Sequence, residues 1–523
     1  MLNLAFIYHM HQPYYVNLLS RETELPWVRL HGIKDYLDMV QILAKYPRVR
    51  QTFNFVPSLL EQVESFVDSS VKDKFIDMTM RPAESLTDGE KNFLLENFFM
   101  INAENCIAGH PRYYELFLKK QGGRHFSVTD YRDLQMWFNL AWFDPTFLQE
   151  RPALKALIKK GRHFGEEDKK VMLEQQTLIL AEIIPAYRKF SESGQVEVIL
   201  SPYYHPILPL LYNTNIAREA NHKVSLPARA FSYPGDAERQ VAEAVLFYTR
   251  RFGRPPAGMW PSEEAVCDHI LPILINNGIK WIVSDEAMLF RSFGRKKRDT
   301  ALLYRMHTAE REEGSIHMTF RDRNLSDLIG FTYHKWDPKD AVGDFMRHLE
   351  NTAEAFKDRD ILVTIAMDGE NAWEYYKKDG HPFLNLLYER LSDSKMIRTV
   401  TVEDYLRQNT PESKIRRLAA GSWIYGEFAK WIGNPYKNKA WEYLAEARKE
   451  METFLSSGAA DEKTREAAWK QMMICEGSDW FWWYGDYQHD FDRLYRLHLS
   501  NFYVIIGKQP PGYLKHSLYA NPG

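Results

Sequence analysis

Two acids at the ends of apolar runs are the first residues that could do chemistry. In Gly258-Met259-Trp260-Pro261-Ser262-Glu263-Glu264 a short run delivers a tryptophan and then a carboxylate. Trp260 could stack on a sugar face while Glu263 attacks or protonates at its edge. The plainer reading is a core tryptophan and a glutamate at a helix N-terminus, which the helix dipole favours and which suits Glu264 best. In Ile361-Leu362-Val363-Thr364-Ile365-Ala366-Met367-Asp368-Gly369-Glu370-Asn371-Ala372-Trp373 a longer run ends in two acids and a tryptophan, with Gly369 free to turn the chain. Desolvation at such a strand end, and a nearby Glu263, would raise the Asp368 pKa as a general acid requires; Arg321 would oppose this. The alternative is an ordinary Asp-Gly turn. Two carboxylates of this kind are what a glycosidase uses, about 5–5.5 Å apart in a retaining enzyme and wider in an inverting one.

His9 and His11 lie two apart where the first run gives out, so both point the same way. They could donate to a substrate hydroxyl, form a metal pair, or be two satisfied histidines under a loop.

Such residues need strands to position them. Apolar runs at 2–8, 49–55, 196–200, 257–260, 280–283, 316–320, 361–367 and 397–402 read as buried strands. Most are continuous rather than alternating, as expected of strands covered on both faces. Helical patterns follow many of them, which is the grammar of a βα barrel or a doubly wound sheet. Polar groups recur just after or within the runs: His9 and His11, Asn54, Glu197 with His205 beyond it, Glu263, Asp285, Arg321 with Asp322, and Asp368 with Glu370. In βα barrels the active site is built at the C-terminal ends of strands. Residues 58–190 are helical in character and read as an insertion after the second strand, and residues after about 410 are helical again.

Composition limits the function. Lys+Arg total 67 and Asp+Glu 70, a formal net charge of −3, which gives no basic surface for nucleic acid. The run Arg295-Lys296-Lys297-Arg298 reads as a solvated loop. Cys106, Cys267 and Cys475 have no zinc-finger or disulfide spacing. No apolar stretch approaches a membrane span, and the N-terminal run lacks the basic flank of a signal peptide. The expectation is a cytoplasmic protein. At 14%, aromatic content is high enough to suit sugar binding, though most rings will be core.

Five short motifs, in order, resemble glycoside hydrolase family 57, whose members are retaining α-glucan-active enzymes. They are His11-Gln12-Pro13, Gly194-Gln195-Val196-Glu197-Val198, Gly258 to Glu263, Asp368-Gly369-Glu370-Asn371, and the segment from Trp423 to Trp431. Phrases around Tyr203–His205–Pro209, Phe320-Arg321-Asp322 and Glu476 to Asp486 also look familial, and the match runs from residue 1 to about 500. The resemblance implies an α/β fold, an incomplete (β/α)7 barrel over 1–410 with the helical insertion, and a helical region 411–523 completing the cleft. Of the eight runs, 397–402 is then the one outside the barrel. The resemblance further implies Glu263 as nucleophile and Asp368 as general acid/base. His9, His11 and Glu197 would hold the sugar, Trp260 and Trp431 would line the subsite, and Glu427 and Asp479 would approach from the C-terminal region. Arg321, Glu370 and Trp373 join the expected substrate contacts. No metal or organic cofactor is implied, and the partner is an α-glucan or maltooligosaccharide.

On this reading water or a glucan hydroxyl completes the second displacement, giving hydrolysis, 4-α-glucanotransfer or branching. The aromatic stretch 480–483 could be an acceptor platform or buried packing. Two other classes remain: a metal-dependent polysaccharide deacetylase-like enzyme recruiting His9, His11, His205 and Asp368, and a glucan-binding protein on a dead barrel. The first lacks an Asp-Asp pair at strand one and a later paired-histidine metal motif. The second has no use for both Glu263 and Asp368.

Overall fold

Seven of the apolar runs form parallel strands that pair in a ring. They are β1 (Leu2–Met10), β2 (Gln51–Phe55), β3 (Val196–Leu200), β4 (Gly258–Met259), β5 (Trp281–Asp285), β6 (Gly314–Arg321) and β7 (Ile361–Asp368). The structure is a computed structural model, and it describes residues 1–370, 372–411, 413–458 and 461–520. β1 lies between β7 and β2, with Leu2 opposite Ile361 and His9 opposite Asp368. Two seams are thin: β3 meets β4 only at Leu200 and Met259, and β6 meets β7 only at Arg321 and Thr364. This is the (β/α)7 barrel expected, incomplete at those seams.

Strand parity sorts the side chains. Ala5, Ile7, Ile199, Trp281, Val283, Leu362 and Ala366 form one buried cluster inside the ring. Their strand neighbours Phe6, Tyr8, Val198, Leu200, Ile282, Val363 and Ile365 belong to the larger core under the helices. Both faces are therefore apolar, which is why the runs are continuous in sequence. The inward parity continues to His9, Asn54, Asp285, Arg321 and Asp368 at the C-terminal ends of their strands, and to Glu197 near the start of β3.

Several boundaries differ from expectation. β1 extends through His9 to Met10, so His9 is within the strand rather than after it. The second strand starts at Gln51 rather than 49. The fourth shrinks to Gly258–Met259 because Trp281 packs across Gly258; a Cβ there would lie 2.2 Å from the indole. The eighth run pairs only as Ile397–Thr399, against Leu2–Leu4 at the start of β1 and outside the ring, and a helix starts at Val402. An added strand, His307–Arg311, pairs antiparallel with β6, and Ser413–Lys414 extends that edge past residue 410.

Between β2 and β3 the chain is almost entirely helical, ending in Glu166–Glu192. Arg29 ties this insertion to the first helix: its guanidinium donates to Asp73 at 2.8 Å, Asn139 at 2.9 Å and Gln176 at 3.0 Å, all buried. After the barrel come helices Pro435–Ser456, Glu462–Cys475, Ser478–Trp483 and His489–Ile505. The basic run is not wholly solvated, since Arg298 pairs with buried Asp322 at 2.7 Å. Among the described residues no helix is long and apolar enough to cross a membrane.

Candidate active site

The cleft lies at the C-terminal ends of the strands, and its central feature is an unusual turn. Trp260 continues the pairing of β4 by donating its N–H to Leu200 at 2.8 Å. Glu263 and Glu264 then both adopt left-handed conformations, with φ of 60° and 50°. Non-glycine residues seldom take such angles, and where they do the surroundings must hold them. Trp423 does so here. Its backbone N–H donates to the Glu263 carbonyl at 3.2 Å, and its indole Nε1–H donates to Glu263 Oε2 at 2.8 Å. Trp423 is in turn braced edge-on against Trp260 and lies under the Arg321 guanidinium, 5.3 Å from the ring centre.

This turn separates the two glutamates. The Glu263 side chain keeps 14% of its surface and faces His205, whose Nδ1 is 4.0 Å from Oε1. Glu264 is buried, and among the described residues neither of its carboxyl oxygens has a hydrogen-bond partner. Burial pushes Glu263 up to about 8; the charges of Asp368 and Asp479 add to this, while the Trp423 hydrogen bond and Lys430 oppose it. Two carboxylates that repel in this way resist being ionised together, so the pair retains a proton near neutral pH.

Asp368 ends β7 directly opposite His9. Gly369 lets the chain turn tightly here, donating its N–H to the His9 carbonyl at 2.7 Å; a Cβ on it would lie 2.4 Å from Met10 Sδ. Glu370 is buried, accepts the His11 N–H at 3.2 Å and among the described residues leaves Oε2 without a hydrogen-bond partner. Burial first, and then Asp368, push its carboxyl well above the usual range. Asn371 lies outside the described residues.

Three imidazoles floor the cleft. His11 stacks on His205 with ring centres 3.9 Å apart, and His9 lies 5.0 Å from His205. Burial, reinforced by the charge of His11, lowers His9 to about 3 and holds His205 well below the ordinary value. Both are neutral at pH 7, each with one N–H and one acceptor nitrogen. His9 Nδ1 bonds Asn54 Oδ1 at 2.5 Å, His205 Nδ1 bonds Ser478 Oγ at 3.1 Å, and His11 Nε2 bonds Asp479 Oδ1 at 2.8 Å. Ser478 and Asp479 begin helix Ser478–Trp483, so the C-terminal helices complete this floor. Donor atoms of His11, His205 and Asp479 all lie within 4.8 Å of one another, close enough to hold a cation.

The structure thus brings together Glu263, Asp368, His9, His11, Glu370 and Asp479, with Arg321 bordering the cleft. Arg321 is committed to the Ala366 carbonyl at 3.0 Å and Asp327 at 2.8 Å. Other expected contacts are not brought to the cleft. Glu197 faces inward, but as the second residue of β3 it is at the N-terminal end, accepting from Trp281 Nε1 at 2.9 Å, Glu403 N at 3.0 Å and Thr52 Oγ1 at 3.3 Å. Trp260 cannot offer a ring face: it is fully buried, parallel to His9 at 4.9 Å. Trp373 and Trp431 are also buried, against Gly369 and Trp482 respectively, and Glu427 bonds Asn221 at 2.6 Å.

Some residues of the site carried no role in the sequence reading. Trp423 was inside a quoted motif, yet nothing in its spacing linked it to Glu263. Phe331 and Tyr375, 71% and 57% exposed, flank a 310 Å³ cavity that also borders Asp368, Arg321 and Trp423. They follow no strand directly and gave no sequence signal.

Residues 5–416 match the model of glycosyl hydrolase family 57. The curated α-amylase 1 of Dictyoglomus thermophilum is 24% identical over 265 residues, 50% of this chain and 33% of that protein, so the chain spans only a third of that relative. Solved structures share the fold, among them the following two. The branching enzyme of Pyrococcus horikoshii superposes with a TM-score of 0.63 at 18% identity, covering 96% of this chain and 89% of that one. The α-amylase AmyC of Thermotoga maritima gives 0.59 at 14% identity, covering 97% and 93%. The chain belongs to glycosyl hydrolase family 57.

Proposed function

We propose that this member of glycosyl hydrolase family 57 cleaves α-glucans with retention, through a covalent glucosyl-enzyme. The observation that carries the reading is Glu263: a carboxylate projected from a left-handed turn, held by the Trp423 indole, within electrostatic range of Asp368 at the end of β7. Glu263 attacks the anomeric carbon as Asp368 gives its proton to the departing glycosidic oxygen. Asp368, now ionised, then takes the proton of the incoming water or sugar hydroxyl, which displaces Glu263 and restores the starting state. The shared proton of the pair is the one this cycle needs.

Neutral His9 and His205 suit the sugar held against Glu263, since a hydroxyl can donate to an imidazole nitrogen or accept from an imidazole N–H and needs no fixed charge. The acid protonates the leaving oxygen, so the leaving chain departs on the Asp368 side, where Phe331 and Tyr375 offer aromatic faces. That cavity also favours a second sugar as acceptor, and hence 4-α-glucanotransfer or branching beside hydrolysis. Incubation with single maltooligosaccharides decides: longer as well as shorter products mean transfer, and shorter products alone mean hydrolysis. No new products in that incubation removes the reading.

A metal-dependent reading has one observation behind it, the His11–His205–Asp479 donor group. Glucan cleavage that survives exhaustive chelation excludes it. We further propose a catalytic unit over 1–410 and a helical unit over 411–523 that completes the cleft through Trp423 and Asp479, in a cytoplasmic protein.

A further inference from the structure

The segment after Asp368 runs to residue 381 and is tied down there by buried charge. His381 opens helix His381–Asp393. Its Nε2 bonds Asp144 Oδ2 at 2.6 Å, and Asp144 caps helix Pro145–Glu150 of the insertion through Thr146 N at 2.8 Å. Asp38, on helix Leu37–Gln41, faces the same point. Donor atoms of Asp38, Asp144 and His381 all lie within 4.8 Å of one another. Asp144 is fully buried and Asp38 is 5% exposed.

Two independent facts point to a ligand. Asp38 Oδ1 has no hydrogen-bond partner among the described residues, although it is buried beside a second carboxylate. The charge around it is also unbalanced. Among the described residues one lysine, Lys34, stands beside the four carboxyl groups of Asp35, Asp38, Asp144 and Asp379, and it is shared by Asp35 and Asp379. Buried carboxylates in such excess need a proton or a cation between them.

We propose that Asp38, Asp144 and His381 bind one divalent transition-metal cation, zinc in the first instance, as a clip joining the first helices, the insertion and the segment that follows Asp368. Two carboxylate oxygens and one imidazole nitrogen are a donor set that suits zinc. Zinc bonds of about 2.0–2.2 Å put donors roughly 3.4 Å apart, within reach of side-chain rotation from the observed arrangement. The imidazole then takes the Nδ1–H tautomer and gives Nε2 to the metal. The clip holds the far end of the segment that carries Glu370 and Tyr375, and it takes no part in bond cleavage.

The test is zinc content and thermal stability of the full chain after chelation, dialysis and titration with Zn²⁺ alone. The expectation is one zinc per chain, a Tm rise of roughly 2 °C or more at saturation that chelator reverses, and loss of both in Asp38→Asn and in His381→Gln. His205→Gln separates this site from the cleft and should keep the equivalent. Uptake below a tenth of an equivalent overturns the proposal, as does zinc that Asp38→Asn retains or His205→Gln loses. A wild type indifferent to zinc, with a metal-free Asp38→Asn that is more stable than it, means a shared proton bridges the carboxylates and likewise overturns it. His381→Gln, at a part-exposed imidazole, keeps the test valid if Asp38→Asn fails to fold.

Discussion

Two glutamates inside the same barrel, at its opposite ends, carry similar perturbations and have different surroundings. Burial raises Glu263 to about 8 and Glu197 to about 7. Glu197 is enclosed by donors: Trp281, Glu403 N–H and Thr52 occupy its two oxygens. Glu263 has one fixed donor, Trp423, and otherwise faces a part-open cleft with His205 and Asp368. A shifted pKa marks burial at both ends, and only the unsatisfied end has capacity left for a substrate. The N-terminal end also carries a 360 Å³ cavity lined by Glu197, Arg254 and Glu403, but an ion pair at 3.1 Å already joins the latter two. We assign the chemistry to the C-terminal end on those grounds.

The largest effect should fall on Glu263. Glu263→Gln should lower turnover by about 10³-fold or more, the cost of removing a nucleophile. Azide should restore product formation in Glu263→Ala. Glu264→Gln should stay within about tenfold, because its carboxyl is buried, pushed above the usual range by that burial, and turned away from the cleft. A dead Glu264→Gln beside an active Glu263→Gln reverses the assignment.

Asp368→Asn comes next. Against glucans, whose leaving oxygen needs a proton, the loss should be about 10²–10⁴-fold. An activated aryl glucoside should be hit far less in the first, single-turnover step. Equal losses on both substrates exclude Asp368 as the acid and bring forward Glu370. In the wild type, kcat/KM should fall above about pH 8 as the last proton leaves the pair, an apparent value that belongs to both carboxyls.

Much of this contrast could be read before the fold was known. The continuous apolar runs located all seven barrel strands to within two residues at each end, because strands buried on both faces have no polar alternation to hide them. β4 is the shortest, with Trp281 lying across Gly258. Parity put Glu197 inside correctly, but facing inward is not the same as being high in the barrel. Val198, Ile199 and Leu200 still follow it, and that count was the available signal. The tryptophans were less legible, because burial of a ring depends on what covers it. Trp260 is covered by His9 and Trp423, which come from opposite ends of the chain. Trp423 itself could be named within a motif, but its bond to Glu263 needed the turn.

A sharper cut between the ends comes from Glu197→Gln. If Glu197 only seals the barrel, kcat/KM for glucans should change less than about threefold, and KM should not rise. A KM increase of tenfold with unchanged Tm means that Glu197 contacts sugar, and the comparison fails.

The smallest effect is in stability against pH. Glu197 in the folded protein takes up its proton near 7, against about 4.5 when unfolded. The folded state therefore holds a proton that the unfolded chain has released. The stability this contributes is fully present below about pH 4.5 and is lost as pH rises through about 7. Glu197→Gln removes that dependence. At pH 5 the variant should be the less stable, because an amide cannot accept at both of its ends and one of the Trp281, Thr52 or Glu403 donors loses its partner, at roughly 1–3 kcal/mol. Between pH 5 and pH 8 the difference should move in the variant's favour by on the order of 2 kcal/mol. Urea unfolding at the two pH values measures it. A constant difference across that window means that Glu197 is ionised throughout, stabilised by its three donors, and that the two glutamates differ in charge as well as in surroundings.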